Sequence, residues 1–462
     1  MNTKSRITPK NSILLILLAG ILIRVLYVIF MPVVNLAQYD LGTVDLEGNV
    51  LTGHLGYVFY LFKNHALPNF DPREVYQFNH PPIQPILGAL WVSLSSLFTD
   101  NLQVLKESLQ FLTLIYSVVT LMAFERILHE TDISDHAKEG ALFLFAFQPT
   151  LIMTAGSLNN DGIGLMFQML SVWFAIRWYK NRKYKDILLL ALMIGLGMLS
   201  KLSAGLIAVP VAAMFIYAFA EDWKKSGKFP KKTFLQYVIF GIVCVPLGLS
   251  WAMRCLMKFD MPITYIAYLP VTSPQYVGNY SDFERMFLPN PVTLLKNLAS
   301  GSIGMGWNVW VQMFRTSALG ECDLSLFSMA GKLSCFLMMV MNFFVAVVAF
   351  VKGIGVYGLN KLSSDRKTPG NYLLRLFWLL SWAVMVYSYF SFAYTYPHEC
   401  SMNFRYVQFA MVPGLVLWAL WDKKRENAEK VPSKLWLWVE KLLMAGYGIG
   451  ACLVIFFWCK VG

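Results

Sequence analysis

Apolar runs of roughly 20 residues, the length that crosses a bilayer core, recur along the chain. They fall near 11–33, 107–128, 139–157, 162–179, 186–200, 203–219, 233–257, 327–352, 371–391, 404–421 and 434–459. A further stretch, 83–98, is shorter and carries Gln84, Pro85 and three serines. Between the first run and this stretch lies a polar segment holding Asp40, Asp45, Glu47, Asp71, Glu74 and three histidines. Within it, Gly56–Phe62 reads as a helix lying in the membrane interface. The pattern predicts an all-α polytopic membrane protein in one membrane domain spanning 1–462. Its parts are a first outer loop at 34–106 with interfacial helices, core helices at 107–257, a long outer loop at 258–326 and C-terminal helices at 327–462.

Whether 83–98 spans decides the side of everything after it. If it does not, and the N-terminus is inside, the inner loops are 129–138, 180–185, 220–232, 353–370 and 422–433. Lys180-Asn181-Arg182-Lys183-Tyr184-Lys185, Lys224-Lys225, Lys231-Lys232, Arg366-Lys367 and Lys423-Lys424-Arg425 then face inward, as the positive-inside rule requires. Only 129–138, with Glu130, Asp132 and Asp135, runs against the bias. If 83–98 spans, four basic loops turn outward. The charge pattern therefore favours about eleven spans, with the N-terminus inside and the C-terminus outside. Asp40, His80, Asn160-Asp161, Lys201 and Asn403-Phe404-Arg405-Tyr406, drawn from five places in the chain, then fall on one outer face. Span ends are polar in any membrane protein, so some of this clustering is expected without a common site.

Composition narrows the class. Of 462 residues, 57% are hydrophobic and only 14% charged, against about 25% charged in soluble domains. The net charge of +12 is explained by basic inner loops, and no nucleic-acid partner is implied. Lys4, Arg6 and Lys10 precede an apolar run too long for a signal-peptide core and without a small-residue cleavage site, so a retained first helix is expected. The seven cysteines show no metal-binding spacing. Cys322 and Cys400 share the outer face, where an oxidising compartment permits a disulfide. The 258–326 segment, with Pro262, Pro270, Pro274, Pro289, Trp307 and Trp310, reads as a packed lid or acceptor surface.

Several polar residues could carry chemistry. Asp40, just past the first span, is placed to act as a general base, with Asp45 and Glu47 close behind. Pro81-Pro82 bias His80 towards an extended conformation, so its ring is aimed at a phosphate or a carboxylate; a turn histidine at a helix start is the competing reading. Asn160 and Asp161 open the 162–179 span, where Asn and Asp are favoured N-caps and where backbone N–H groups also suit an anion. Lys201 follows a glycine-rich helix, either as a snorkelling lysine or as a phosphate ligand. Arg405 opens an apolar span outside any basic loop, and its guanidinium suits bidentate phosphate contacts. Arg254 is a further phosphate candidate, and Arg24 lies inside the first span. His398-Glu399-Cys400 offers metal donors without a standard ligand spacing, so a divalent metal is compatible with the sequence but not demanded by it.

Asp40, His80-Pro81-Pro82 and Asn160-Asp161, in that order, together with Leu199-Ser200-Lys201-Leu202 and Phe404-Arg405-Tyr406, resemble the GT-C membrane glycosyltransferases. The likeness is to the branch that holds the protein O-mannosyltransferases and the aminoarabinose transferase acting on lipid A, and it covers about 10–220 and 400–421. The family often has Asp-Glu where this chain has Asp40-Leu41, which leaves Asp45 open as the base. The resemblance implies an inverting transfer from a polyprenyl-phosphate sugar to an acceptor hydroxyl on a lipid, glycan or protein. Asp40 would be the base; Asp45, Asn160 and Asp161 would orient the acceptor or the basic residues; and His80, Lys201, Arg405 and Arg254 would bind the donor phosphate. The expected setting is a bacterial plasma membrane rather than the endoplasmic reticulum. The rival class is a secondary transporter or flippase for a lipid-linked or anionic substrate. Transporters concentrate ionisable residues near the midplane, whereas this chain gathers them at one face.

Overall fold

The computed structural model describes residues 9–33, 40–45, 50–267, 269–287, 289–290, 292, 306–321, 326–360, 369–427 and 434–461. Among them the chain is helical throughout its regular parts. The first helix, α1 (Pro9–Phe30), turns Leu14, Leu18, Leu22, Leu26 and Ile29 outward and buries Ile23, Tyr27 and Val28. An apolar exterior with a packed interior is what a lipid-facing helix requires. Arg24 lies on the inner face. Its guanidinium donates to Ser117 Oγ at 3.0 Å and to the carbonyl oxygens of Gly20 and Ala146 at 2.8 and 2.7 Å. The intramembrane arginine thus ties α1 to α4 (Leu102–Glu130) and α5 (Asp135–Ala146).

Between α1 and α4 the described residues form a small packed unit. Helices α2 (Gly53–Asn64) and α3 (Ile83–Ser95) cross where Gly88 lets Val58 approach; a Cβ at Gly88 would stand 2.6 Å from Val58 Cγ2. Its apolar core of Val44, Leu55, Val58, Phe59 and Val92 rests on Leu105 and Leu109 of α4. Polar struts fix it there: Lys106 Nζ donates to the Val44 carbonyl at 2.8 Å, and Glu107 accepts the Val33 N–H at 2.9 Å. At 13 residues, α3 is about 20 Å long, short of a hydrocarbon core of about 30 Å. Its length suits a helix that lies along or dips into the surface.

Seven helices among the described residues are long and apolar enough to cross a membrane. They are Asn11–Phe30, Leu102–Glu130, Leu202–Ser226, Lys231–Phe259, Met329–Leu359, Tyr372–Thr395 and Trp438–Lys460. The other four apolar runs are helical but shorter, broken or more polar. The 139–157 run breaks after α5 at Phe147-Gln148, because Pro149 disfavours helical backbone in the residue before it. The short α6 (Pro149–Met153) follows, and the Gln148 side chain at the break is buried against the Ser317 carbonyl and the Tyr447 hydroxyl. Helix α7 (Asp161–Asn181) is buried over most of its length and packs on α8 (Tyr184–Ser200). The 404–421 run opens in 3-10 turns at Phe404–Tyr406 and Gln408–Ala410 before a regular helix, Met411–Asn427.

The acidic 129–138 loop has local compensation. Lys180, in the last turn of α7, donates to Glu130 Oε2 at 2.9 Å, and Asp135 pairs with Lys138 at 3.3 Å. In the 258–326 segment the described parts include helices Asp282–Met286 and Val309–Leu319, the second packed on buried Val309, Val311 and Phe314. Cys322, Glu47, Arg366 and Lys367 lie outside the described residues, and with Cys322 the proposed pairing to Cys400.

Candidate functional site

Four helix ends and one loop converge on a single polar cluster. Asp161 is the first residue of α7, Lys201 caps the end of α8, and Arg405 sits in the 3-10 turn that precedes the Met411–Asn427 helix. Asp40 comes from the loop ten residues past α1, and Glu321 from just beyond the Val309–Leu319 helix. Arg405, only 4% exposed, binds three of these residues at once. One guanidinium nitrogen donates to Asp40 Oδ2 at 2.9 Å and lies 3.8 Å from Glu321 Oε1; the other donates to Asp161 Oδ2 at 3.3 Å. Lys201 Nζ closes the network on Asp161 Oδ1. Three carboxylates thus face two cations, in surroundings where charges interact strongly because water is scarce.

Local structure aims each group. Asn159 Oδ1 accepts the Asp161 N–H at 2.9 Å, so the capping contact comes from Asn159, while Asn160 donates to the Ser200 carbonyl at 3.3 Å and joins α7 to the end of α8. Asn403 Oδ1 accepts the Arg405 N–H at 3.0 Å, and its amide donates to Glu321 at 3.1 Å. Asp40 stands at φ 55, a left-handed conformation that Asp tolerates better than most residues. Behind it two backbones cross: Gly42 and Gly53 both have φ above 70, and a Cβ on Gly42 would lie 1.9 Å from the Thr52 carbonyl oxygen. Only glycines permit that crossing. It brings His54, whose N–H donates to the Asp40 carbonyl at 3.2 Å, under the carboxylate.

Tyr76 completes the hold on Asp40, its hydroxyl donating to Oδ1 at 2.7 Å. Burial pushes the Asp40 carboxyl up, but the Arg405 charge, His54 and the two hydrogen bonds outweigh it and hold the group well below the usual carboxylate range. His54 and His80 stack with ring centroids 5.2 Å apart. Burial drives them down to about 4 and about 3, against the pull of Asp40 and Asp161, so both rings are neutral at neutral pH. His80 therefore offers the cluster a hydrogen bond rather than a charge. Burial moves Glu321 the other way, above its ordinary value.

The structure separates some residues that the sequence groups together. Asp45 lies beside the Val44–Leu51 bridge, its N–H 3.4 Å from the Val50 carbonyl oxygen, and among the described residues it is not one of the groups around Arg405. Arg254 donates to the Pro68 carbonyl at 2.6 Å and stacks on Trp251 and Phe259, so it clamps the segment between α2 and α3 to its own helix (Lys231–Phe259). His54, Tyr76 and Glu321 were not singled out in the sequence. Tyr406, named there only within the Arg-Tyr motif, accepts from Arg405 at 2.9 Å and places its ring 4.8 Å from Lys201 Nζ.

Residues 79–269 match the family model described as Dolichyl-phosphate-mannose-protein mannosyltransferase. The fold is similar to that of the oligosaccharyltransferase of Archaeoglobus fulgidus. For its apo form the TM-score is 0.53 at 16% identity, over 97% of this chain and 56% of that one. For its complex with Zn and sulfate the TM-score is 0.51 at 15% identity, over 96% and 53%. This chain thus spans about half the length of those proteins. ArnT from Cupriavidus metallidurans aligns more loosely, with a TM-score of 0.41 at 12% identity over 97% of this chain and 77% of that one. No curated protein matches the chain in sequence. A resident metal does not fit the donors seen here: the carboxylates of Asp40 and Asp161 are already engaged by Arg405 and Lys201. No group of three or more His, Cys, Asp or Glu among the described residues is arranged to hold an ion. Residues 79–269, which include the helices that carry Asp161 and Lys201, match that mannosyltransferase family model, and the chain as a whole shares the fold of the Archaeoglobus fulgidus oligosaccharyltransferase.

Proposed function

We propose that the chain is an inverting glycosyltransferase that moves a sugar from a polyprenyl-phosphate donor to an acceptor hydroxyl at the outer membrane face. The observation that carries this reading is the Arg405 network, in which a carboxylate and two cations meet where a phosphate leaving group and an attacking hydroxyl need opposite help. Asp40 takes the acceptor proton as the oxygen attacks the anomeric carbon. The bond to the phosphate breaks on the opposite side, and its electron pair goes to the phosphate, so the configuration inverts. Lys201 and Arg405, with His80 as a neutral hydrogen-bond partner, stabilise the charge that develops there. No general acid is required for so good a leaving group, unlike the paired carboxylates of glycosidases.

Donor binding also changes the base. A phosphate that draws Arg405 towards itself loosens the grip that keeps Asp40 a weak base, so proton affinity rises when the donor is in place. The outer-face assignment is supported by the inward bias of the basic loops and the short α3. A bacterial plasma membrane is the setting we assign. The acceptor is a hydroxyl on a lipid, glycan or protein. The test is transfer from a panel of polyprenyl-phosphate sugars by the purified protein. Asp40→Asn should lower turnover by about 10²- to 10⁴-fold, the range for a lost general base, with expression unchanged. Wild-type turnover in that variant removes Asp40 from the mechanism. Donor translocation without transfer would support a flippase instead.

A further inference from the structure

The Tyr76 contact is unusual in what it resembles. An acceptor hydroxyl about to be deprotonated must donate its proton to an Asp40 oxygen along a short O–H···O line. Tyr76 does this already: its hydroxyl sits 2.7 Å from Oδ1, within the range for a hydroxyl on a carboxylate. The other oxygen, Oδ2, is held by Arg405 at 2.9 Å. Oδ1 is therefore the oxygen left for an acceptor, and a phenol occupies it.

Three further features bear on this position. Tyr76 is half exposed, so its ring has an open side towards which it can swing. Its neighbour Gln77 holds a left-handed φ of 69, a conformation rare for a residue with an ordinary side chain, which marks the turn as locally strained. Gln77 Oε1 is buried without a hydrogen-bond donor among the described residues. An unfilled acceptor beside the phenol is what a second hydroxyl of a sugar or glycerol acceptor would satisfy.

We propose that the Tyr76 hydroxyl is a stand-in for the acceptor, seated on Asp40 Oδ1 to keep water off the base until a hydroxyl-bearing substrate displaces it. The inference rests on Asp40 being the base in the reading above. Its consequence is protection of the donor. With the seat open, water donates a proton to Asp40 and its oxygen attacks the anomeric carbon. The bond to the phosphate breaks, releasing free sugar and polyprenyl phosphate, and Asp40 returns the proton to solvent. Tyr76 is a gating residue, and it touches the base rather than the sugar.

Tyr76→Phe keeps the ring and removes only the hydroxyl, so the fold should persist. Two measurements decide the matter. In the first, release of free sugar from the donor panel is followed without acceptor. Tyr76→Phe should hydrolyse the donor that wild type uses about tenfold faster or more, the factor one hydrogen bond to a charged group is worth, and Asp40→Asn/Tyr76→Phe should abolish the gain. A merely structural tyrosine would slow transfer and hydrolysis together, and that result overturns the proposal. The second needs no donor: coupling of Asp40 to glycinamide by a water-soluble carbodiimide, read by peptide mass spectrometry. Labelling of Asp40 should be severalfold faster in Tyr76→Phe than in wild type, and equal rates overturn the seat. If no donor in the panel reacts with either protein, the transferase reading fails, while the labelling still decides what covers Oδ1.

Discussion

Replacing Arg405 by Gln tests the network at its centre. The arginine is 4% exposed and lies within 4 Å of Asp40, Asp161 and Glu321. Removing one partner of a buried ion pair costs about 3–5 kcal/mol, because the remaining charge stays desolvated. Here the loss is blunted: Asp161 keeps Lys201, and Asp40, whose side chain is 28% exposed, keeps Tyr76. The expected cost is therefore near the lower end, about 3 kcal/mol, a large fraction of the 5–15 kcal/mol of a typical domain. The cost should also depend on pH with a predictable sign. In wild type Arg405 depresses Asp40, so that carboxylate contributes stability that is present above pH ~4 and lost only as pH falls further. In Arg405→Gln the carboxylates face each other without the guanidinium, and their folded-state affinities for protons rise above the unfolded values. Between those two values the folded state binds more protons, so acid stabilises the variant. The gap to wild type should narrow from pH 8 towards pH 5.

Tryptophan fluorescence during thermal unfolding in detergent measures this gap. Asp161→Asn, introduced beside Arg405→Gln, should recover part of the loss, with a coupling of about 0.5–3 kcal/mol as expected for residues in one network. Two outcomes refute the reasoning: a gap that stays constant or widens on acidification, or strict additivity of the two substitutions. Either would mean that the carboxylates do not carry the negative charge on which the network depends.

Acid should also find His54. Its folded-state value of about 4 lies below the unfolded value of about 6.5, so the stability linked to keeping it neutral is intact above pH ~6.5. It falls as pH drops towards ~4, by about 3 kcal/mol in all; His54→Asn should flatten that part of the stability profile, and an unchanged slope would point elsewhere. Gly53→Ala should collapse the Asp40 loop, because the new Cβ would lie 2.3 Å from the Gly42 Cα and the site has φ 72; wild-type stability and turnover together would contradict the crossing. Asp100→Cys, exposed beyond α3, should react from outside with an impermeant thiol reagent above the background of the native cysteines. Labelling from the inside alone would mean that 83–98 spans, which puts Asp40 and Asp161 on opposite faces and overturns the one-sided site.

How much of this was legible follows from range. Helices are written in local apolar periodicity, and the ends of α7 and α8 were readable because Asn160-Asp161 and Lys201 interrupt long apolar runs. The broken helix at Gln148 was not read, although Pro149 signals it locally; the apolar run masks the break, and the reason for it is the fit of Gln148 against Ser317 and Tyr447, far along the chain. Asp40, Asp161, Lys201 and Arg405 stand out as polar residues where apolar ones are expected. Tyr76, His54 and Glu321 do not, because tyrosine, histidine and glutamate are ordinary in a polar loop. Tyr76 could have been suspected only by asking what would cover a carboxylate 36 residues away.

The same contrast explains why the cluster needs so many hands. A carboxylate that is to act as a base must be desolvated enough to want a proton, yet a desolvated carboxylate in a membrane protein invites protonation before any substrate arrives. Arg405 prevents that by holding Oδ2, and Tyr76 by filling Oδ1. In the proposed mechanism both are partners a substrate would replace: a donor phosphate would compete for the guanidinium, and an acceptor hydroxyl for the phenol's place. Lys201 differs, because it is fixed between Asp161 and the Tyr406 ring, 4.8 Å away, and stays with the scaffold. On the proposed reading the base is restrained by two displaceable contacts, one answering to each substrate, and Asp40 would become fully basic and open only when both are bound. Arg405→Lys separates the two controls. A lysine keeps a positive charge but not the fork that reaches Asp40 and Asp161 together, so donor-dependent activation should weaken while the Tyr76 seat, read by carbodiimide labelling in Tyr76→Phe/Arg405→Lys, remains. Loss of both effects in Arg405→Lys would show that one contact, not two, restrains the base.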